Sequence, residues 1–360
     1  MPSSAPELDG EPVTRTDSRV RVVRTLPELA RLADELTGLA AATNGPATTY
    51  FEGVRAWLAA RPGRQPASVL VHRGPELVAA AHLARHRERT VWRLQQAGTE
   101  GEPFRLLAVD EPAAAVLNAG IRAELAALPG RWKLMLTDLP AADRHRVETL
   151  AGPLPVSAVA TALDTPLLRM DGDAGLNRYL SRNVRAAVAK ARNRILADGR
   201  RYEVRWLSRP ELVVAAVAEV VDTRRARNLQ LGRALDDPVE VATFRATVAG
   251  HARAGRVRLV EVRIDARLAA YALCLHTGDT LWVYSNAVSP DFTRYSAGTI
   301  ANAEVVRGAH ADPGIRVLNW GRGIQRYKVS GPVTIAGTQT LTAWSSEATR
   351  RLLRLGRRLR

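Results

Sequence analysis

The stretch Val317-Leu318-Asn319-Trp320-Gly321-Arg322-Gly323-Ile324-Gln325-Arg326-Tyr327-Lys328 decides how the chain is read. A short apolar run ends at two glycines that let the backbone turn tightly, and the turn carries an Arg, a Tyr and a Lys into a small space. The lysine stands out. Lys133, Lys190 and Lys328 are the lysines of this chain, so nearly all of its 52 basic residues are arginines. In such a chain a Lys after a glycine turn points to a place for a compact ammonium that a guanidinium fills badly. The competing reading is a solvated hairpin tip.

Around this stretch, 360 residues predict two domains of ordinary size. No run of about 18 apolar residues is present, and the polar, Pro-rich start lacks the basic-then-apolar order of a signal peptide. Residues 1–18 are therefore expected to be a disordered leader. A single cysteine, Cys274, excludes an internal disulfide framework and a multi-Cys zinc site, and points to the cytoplasm. The 52 bases against 36 acids give a net charge of +16. A polyanionic partner, RNA first, accounts for that excess; a membrane surface and a genomic bias towards Arg stay open.

In chain order, Val20 to Val23 reads as a strand and Pro27 opens a helix with Leu29, Leu32, Leu36 and Leu39 on one face. Tyr50 to Leu58 is a second helix. Ser68 to His72 and Leu77 to Leu83 form a hairpin, Val91 to Leu94 and Trp132 to Leu136 are further strands, and Pro112 to Leu128 is a helix between them. This half shows no catalytic cluster. Its hairpin has the same register as a later one: Val69-Leu70-Val71 with Leu77-Val78-Ala79-Ala80 matches Val260-Glu261-Val262 with Leu268-Ala269-Ala270-Tyr271. That match suggests two copies of one α/β unit.

A Pro- and Gly-rich passage around Gly152 and Pro166 places the domain boundary near 160. One helix is expected from Gly175 to Asp198, with Arg178, Arg182, Arg185 and Arg192 opposite its apolar face and unmatched by nearby acids, a stripe able to track phosphates. Helices Pro210 to Arg227 and Pro238 to Ala254 follow, with Arg224 and Arg227 as a second basic cluster. Then come three meandering strands (257–264, 268–276, 280–288), a loop, the helix Thr299 to Ala309, a strand Ile315 to Trp320, a last strand Val333 to Trp344, and a basic amphipathic tail over 346–360 that could meet RNA or lipid or be solvated.

Three antiparallel strands, a loop, a helix and a strand that parts from its neighbour resemble the acyltransferase fold of the GNAT superfamily. Residues 175–340 are similar to the branch containing CelD-like acetyltransferases and Fem-type aminoacyl transferases, on the basic helix Leu180-Ser181-Arg182-Asn183-Val184-Arg185, on Arg253 to Leu259, on Trp282 to Ala303, and on Gly321-Arg322-Gly323 with Tyr327-Lys328. The resemblance implies an α/β (α+β) fold of two tandem GNAT-like domains, 19–160 and 161–345, each a mixed, mostly antiparallel sheet flanked by helices. The family's acids are absent here: Asn319, Ile324 and Gln325 stand in their place. Its pyrophosphate loop is reduced to Arg294 and one displaced glycine, Gly298.

Acyl transfer to an amine needs a bound acyl donor, an unprotonated nucleophile, a place for the oxyanion and a proton for the leaving group. With no nucleophile elbow, direct transfer is expected, and Cys274 reads as plain core. The resemblance implies Lys328 for developing negative charge or a donor phosphate, Tyr327 for the leaving oxygen or for packing, and Arg322 for a substrate carboxylate or phosphate. Tyr284, Ser285 and Asn286 would position the acyl group, with Asn319, Trp320 and Arg294 as further substrate contacts. Glu261 reads as a solvent-facing strand residue rather than a base. His82 and His86 are not expected to bind metal. The leading expectation is an aminoacyl-tRNA-dependent transferase acting on an amine of a small metabolite or peptide, with no permanently bound cofactor and tRNA as partner. An acyl-CoA N-acyltransferase is the alternative, and a non-catalytic RNA- or anionic-surface-binding protein the third. Oligomeric state is not legible.

Overall fold

The computed structural model describes residues 18–99, 101–170, 174–233, 237–329 and 331–358. The first half contains β1 (Ser18–Val23), α1 (Leu26–Ala30), α2 (Ala33–Ala42), α3 (Phe51–Ala59), β2 (Gln65–Pro66), β3 (Ser68–Arg73), β4 (Glu76–Ala81), β5 (Leu83–Glu88), β6 (Val91–Gln96), β7 (Leu107–Ala108), α4 (Glu111–Ala126), β8 (Arg131–Pro140) and α5 (Arg144–Ala151). The second contains β9 (Val156–Arg169), α6 (Arg182–Ala197), β10 (Tyr202–Leu207), α7 (Pro210–Gln230), α8 (Pro238–Arg253), β11 (Val257–Ile264), β12 (Arg267–Thr277), β13 (Thr280–Val288), α9 (Ala297–Ala311), β14 (Val317–Asn319), β15 (Val333–Trp344) and α10 (Glu347–Arg358). The expected leader, apart from Ser18, lies outside the described residues.

The strands form a four-stranded sheet, β1-β3-β4-β7, and an eleven-stranded one, β10-β11-β12-β13-β14-β9-β15-β8-β6-β5-β2. Pairing is antiparallel except at β13-β14 and β6-β8. The repeated hairpin is real. Val69 pairs with Ala81, Val71 with Ala79 and, after a bulge, His72 with Leu77; Val260 pairs with Ala272, Val262 with Ala270 and, after the same bulge, Arg263 with Leu268. In each half a helix then connects two parallel strands: α4 between β6 and β8, α9 between β13 and β14.

The second half is a sheet covered on both faces. Val188, Ala191 and Ile195 of α6 and Ile300 and Ala301 of α9 pack on one side of β11 to β13; Val213, Val217 and Val221 of α7 and Phe244 and Val248 of α8 pack on the other. Two covered faces explain why β12 is apolar almost throughout rather than alternating. Cys274 is core there, and burial pushes its thiol up to about 12. Glu261, expected to face solvent, is 2% exposed and lies 3.4 Å from the Arg263 guanidinium. The helices α7 and α8 cover this face of β11.

Two further expectations change. Ser181 accepts a hydrogen bond from the Val184 amide and caps α6, so the single helix expected from Gly175 is broken there and Arg178 falls in a preceding short turn. Residue 160 lies inside β9. Next to it β15 runs antiparallel to both β9 and β8, joining the two halves into one sheet.

Candidate active site

The parallel ladder of β13 and β14 holds for three residue pairs, Thr280–Val317 to Trp282–Asn319. It ends because the chain after Asn319 swings towards β9: the Trp320 amide donates to Pro166 O and the Gly323 amide to Asp164 O. Gly321 (φ 68°) and Gly323 (φ 94°) supply the left-handed conformations this path requires. The edge of β13 beyond Trp282 is thereby left facing a cavity of about 920 Å³. Its walls come from β13, the C-terminal end of α7, α8, the first turn of α9, the 320–328 turn, and the loop of the first half that carries Thr99, Gly101 and Glu102.

Lys328 is 7% exposed on this wall. Its Nζ donates to Arg322 O at 2.6 Å and to Gly321 O at 3.3 Å, and burial pulls the ammonium down to about 8. Arg322 also lines the cavity, yet its guanidinium is engaged by two carboxylates: Nε donates to Asp164 at 2.8 Å and Nη1 to the buried Asp138 at 2.9 Å. The acids missing from the local motif are thus supplied by β8 and β9. Asn319 accepts from the Gly321 amide at 2.8 Å and holds the turn, and it is not among the lining residues.

Tyr327 and Trp320 meet edge to face at 6.0 Å. Asn286 donates to Tyr327 Oη and to Asn302 Oδ1, each at 3.3 Å, and Ser285 shares a 2.8 Å hydrogen bond with Tyr271. Burial raises the Tyr327 phenol, and the Asn286 amide opposes the shift. Tyr284 stacks on Phe244, with centroids 5.3 Å apart at 12°. Burial first, and the neighbouring Glu102 second, hold its phenol well above the usual range. Glu102 lies next to that phenol, and burial pushes its carboxyl up to about 7. The first half therefore does contribute a titratable group, which its sequence did not suggest. Only folding brings a Gly-Glu-Pro turn to the far end of β13.

The named residues thus divide. Lys328, Tyr327, Tyr284, Arg322, Trp320, Ser285 and Asn286 share the cavity wall, and so do Arg224 and Arg227. Arg224 lies over the Phe244 ring, 5.3 Å from its centroid, and Arg233 extends this basic rim. Arg294 is not among the lining residues; it pairs with Asp198 and Tyr295. Arg178, Arg182, Arg185 and Arg192 are also absent from the wall, and the stripe is not unmatched, because Arg192 pairs with Glu304 of α9 at 3.1 Å. Gly298 opens α9 where a Cβ would lie 2.6 Å from Val288, so it serves close packing of helix on strand.

Residues 182–329 match the family model of the acetyltransferase (GNAT) domain. No curated protein matches the chain. Among solved structures, FemX superposes with a TM-score of 0.61 at 11% identity, covering 85% of this chain and 95% of that one. A conserved protein of unknown function from Bacteroides thetaiotaomicron gives 0.59 at 13%, covering 90% and 100%. The C-terminal domain of a putative lysylphosphatidylglycerol synthetase from Agrobacterium fabrum gives 0.54 at 11%, covering 91% and 95%. At such identities these likenesses speak for the fold. Together with the parted parallel strands they give the chain a GNAT-like fold, and residues 182–329 carry the match to the GNAT domain that makes it an acyltransferase.

Proposed function

We propose that the chain transfers an aminoacyl group from aminoacyl-tRNA directly to an amine of a small metabolite or peptide. The observation that carries this reading is the basic part of the cavity wall: Arg224, Arg227 and Arg233 line it from the last turns of α7 and the residues just after it. Guanidinium groups at a cavity mouth suit a phosphate backbone that stays outside while its 3′ end enters. The likeness to a lysylphosphatidylglycerol synthetase domain, whose name describes an aminoacylated product, supports the same class of donor.

Within the cavity, Lys328 uses two of its three N–H bonds on the turn carbonyls. The third is the group for the oxyanion that forms when the amine attacks the ester carbonyl. Tyr327, held by Asn286, stands beside it to donate to the departing ribose oxygen. Cys274, buried with its thiol raised, offers no covalent route. A cytoplasmic location goes with this reading, and no helix among the described residues is long and apolar enough to cross a membrane.

A second reading, acyl-CoA as donor, is favoured by Ser296 and Thr299 lining the cavity at the start of α9, where amides and helix dipole suit a pyrophosphate. Ribonuclease treatment of an assay supplied with bulk aminoacyl-tRNA separates the two. Loss of product is expected; product that survives ribonuclease and needs CoA thioester would sink the tRNA reading.

A further inference from the structure

We propose that Glu102, carried by the loop between β6 and β7, receives the acceptor amine in the cavity and removes its proton. This rests on the acyl-transfer reading of the same cavity and adds to it the acceptor's position and the group that activates it.

The charges of the wall are sorted. Among its described residues the acids are Glu102 and Glu240, whereas Arg224, Arg227, Arg233, Arg322 and Lys328 are cationic. An anionic donor is drawn to the second set; an amine, which is an ammonium in neutral water, is drawn to the first. The two acids differ in what already holds them. Arg61, just after α3, donates to Glu240 of α8 at 3.5 Å and to Thr243 at 2.8 Å. Glu102 lies against the Tyr284 phenol from β13, and its own amide donates to Thr99 O at 3.2 Å. Glu240 and Arg61 act on it through charge alone, in opposite senses. Glu102 thus stands beside a neutral phenol that packs on the α7–α8 face of β13, a neighbour able to orient a carboxylate without neutralising it. Burial raises its carboxyl to about 7, so near neutral pH it can both accept and release a proton.

The step balances as follows. Glu102 takes one proton from R–NH₃⁺. The free amine attacks the ester carbonyl and the C–N bond forms, with the oxyanion at Lys328. The C–O bond to the ribose breaks, a second amine proton reaches the leaving oxygen, and Glu102 returns the first to solvent. One ammonium and one ester give one amide, one alcohol and one proton.

The test uses the full chain with bulk aminoacyl-tRNA or acetyl-CoA as donor and a panel of diamines, amino sugars and short peptides as acceptors. Glu102→Gln should lower kcat by about 10²-fold at pH 7.5. It should also abolish the acid limb that the wild type shows near pH 7, with donor binding unchanged. Turnover within threefold of wild type with the limb retained overturns the proposal. A wild type giving no product with either donor overturns the acyl-transfer reading instead. The assignment of Glu102 is then still judged by thermal melts without substrate. A carboxyl with a raised folded-state pKa loses stability as pH climbs from the usual carboxyl range to about 7. Glu102→Gln should therefore be more stable than wild type at pH 8 and converge with it at pH 5; a gap that stays constant refutes the assignment.

Discussion

Replacing Lys328 by alanine removes one ammonium from the carbonyls of Gly321 and Arg322 and from the cavity wall at once. We expect kcat to fall by about 10²-fold or more, the scale of a lost oxyanion donor, with no rescue by Lys328→Arg, because a planar fork does not fit a pocket built round a point charge. The cationic form is present below its folded pKa of about 8 and lost above it, so wild-type activity should decline as pH rises through 8. Because that pKa lies below the ordinary 10.5, the folded state holds fewer protons than the unfolded chain between those values. Wild type should gain stability there relative to Lys328→Met, which pH-dependent melts would show. Arg322 makes a different prediction. Arg322→Ala leaves Asp138 buried without its guanidinium, which costs about 2 kcal/mol, below the range for a fully buried pair because Arg322 is 43% exposed. Urea denaturation reads this directly, and a rise in KM with unchanged stability would restore Arg322 to substrate binding. Lys328 was legible in the sequence by its rarity. Glu102, Asp138 and Asp164 were not, because nothing local marks an acid whose role comes from a contact across the fold.

Elements were easier to read than their partners. The hairpins and the meander follow from alternation and turn residues, and β15 has the bounds that its apolar pattern predicts, Val333 to Trp344. What periodicity could not show was the capping Ser181, nor that the neutralising acid for Arg192 would arrive from α9. These placements separate two basic elements experimentally. Arg224→Ala with Arg227→Ala should raise KM for aminoacyl-tRNA and flatten its dependence on salt, since each phosphate contact contributes about one unit of slope. Arg182→Ala with Arg185→Ala, on α6 away from the cavity, should leave KM within about twofold. An α6 pair that matters more than the α7 pair would move the donor path to the opposite face of the sheet.

At the scale of the whole molecule, the two halves share a sheet. β15 comes from the end of the chain but lies between β8 and β9, so each half completes the other's hydrogen bonding. Fragments cut at residue 160 should therefore be insoluble or molten when made separately, each with unpaired strand edges. Near-UV circular dichroism of each fragment tests this, and two independently folded fragments would contradict it. The charge imbalance, read first as a sign of RNA, belongs to this scale too: it describes the molecule's long-range field rather than any one contact.

The two halves differ most where they correspond. In the first, β6 and β8 stay paired for five residues, Val91–Arg131 to Gln95–Met135; in the second, β13 and β14 part after three. With β6 and β8 still joined where β13 and β14 have opened, the segment after β6 is turned to the wall of the other half's cavity. That segment carries Glu102, and its counterpart after β13 leads into α9 on the cavity wall. The loop after β6 walls the cavity of the second half, so the open cleft draws its lining from both halves of the chain.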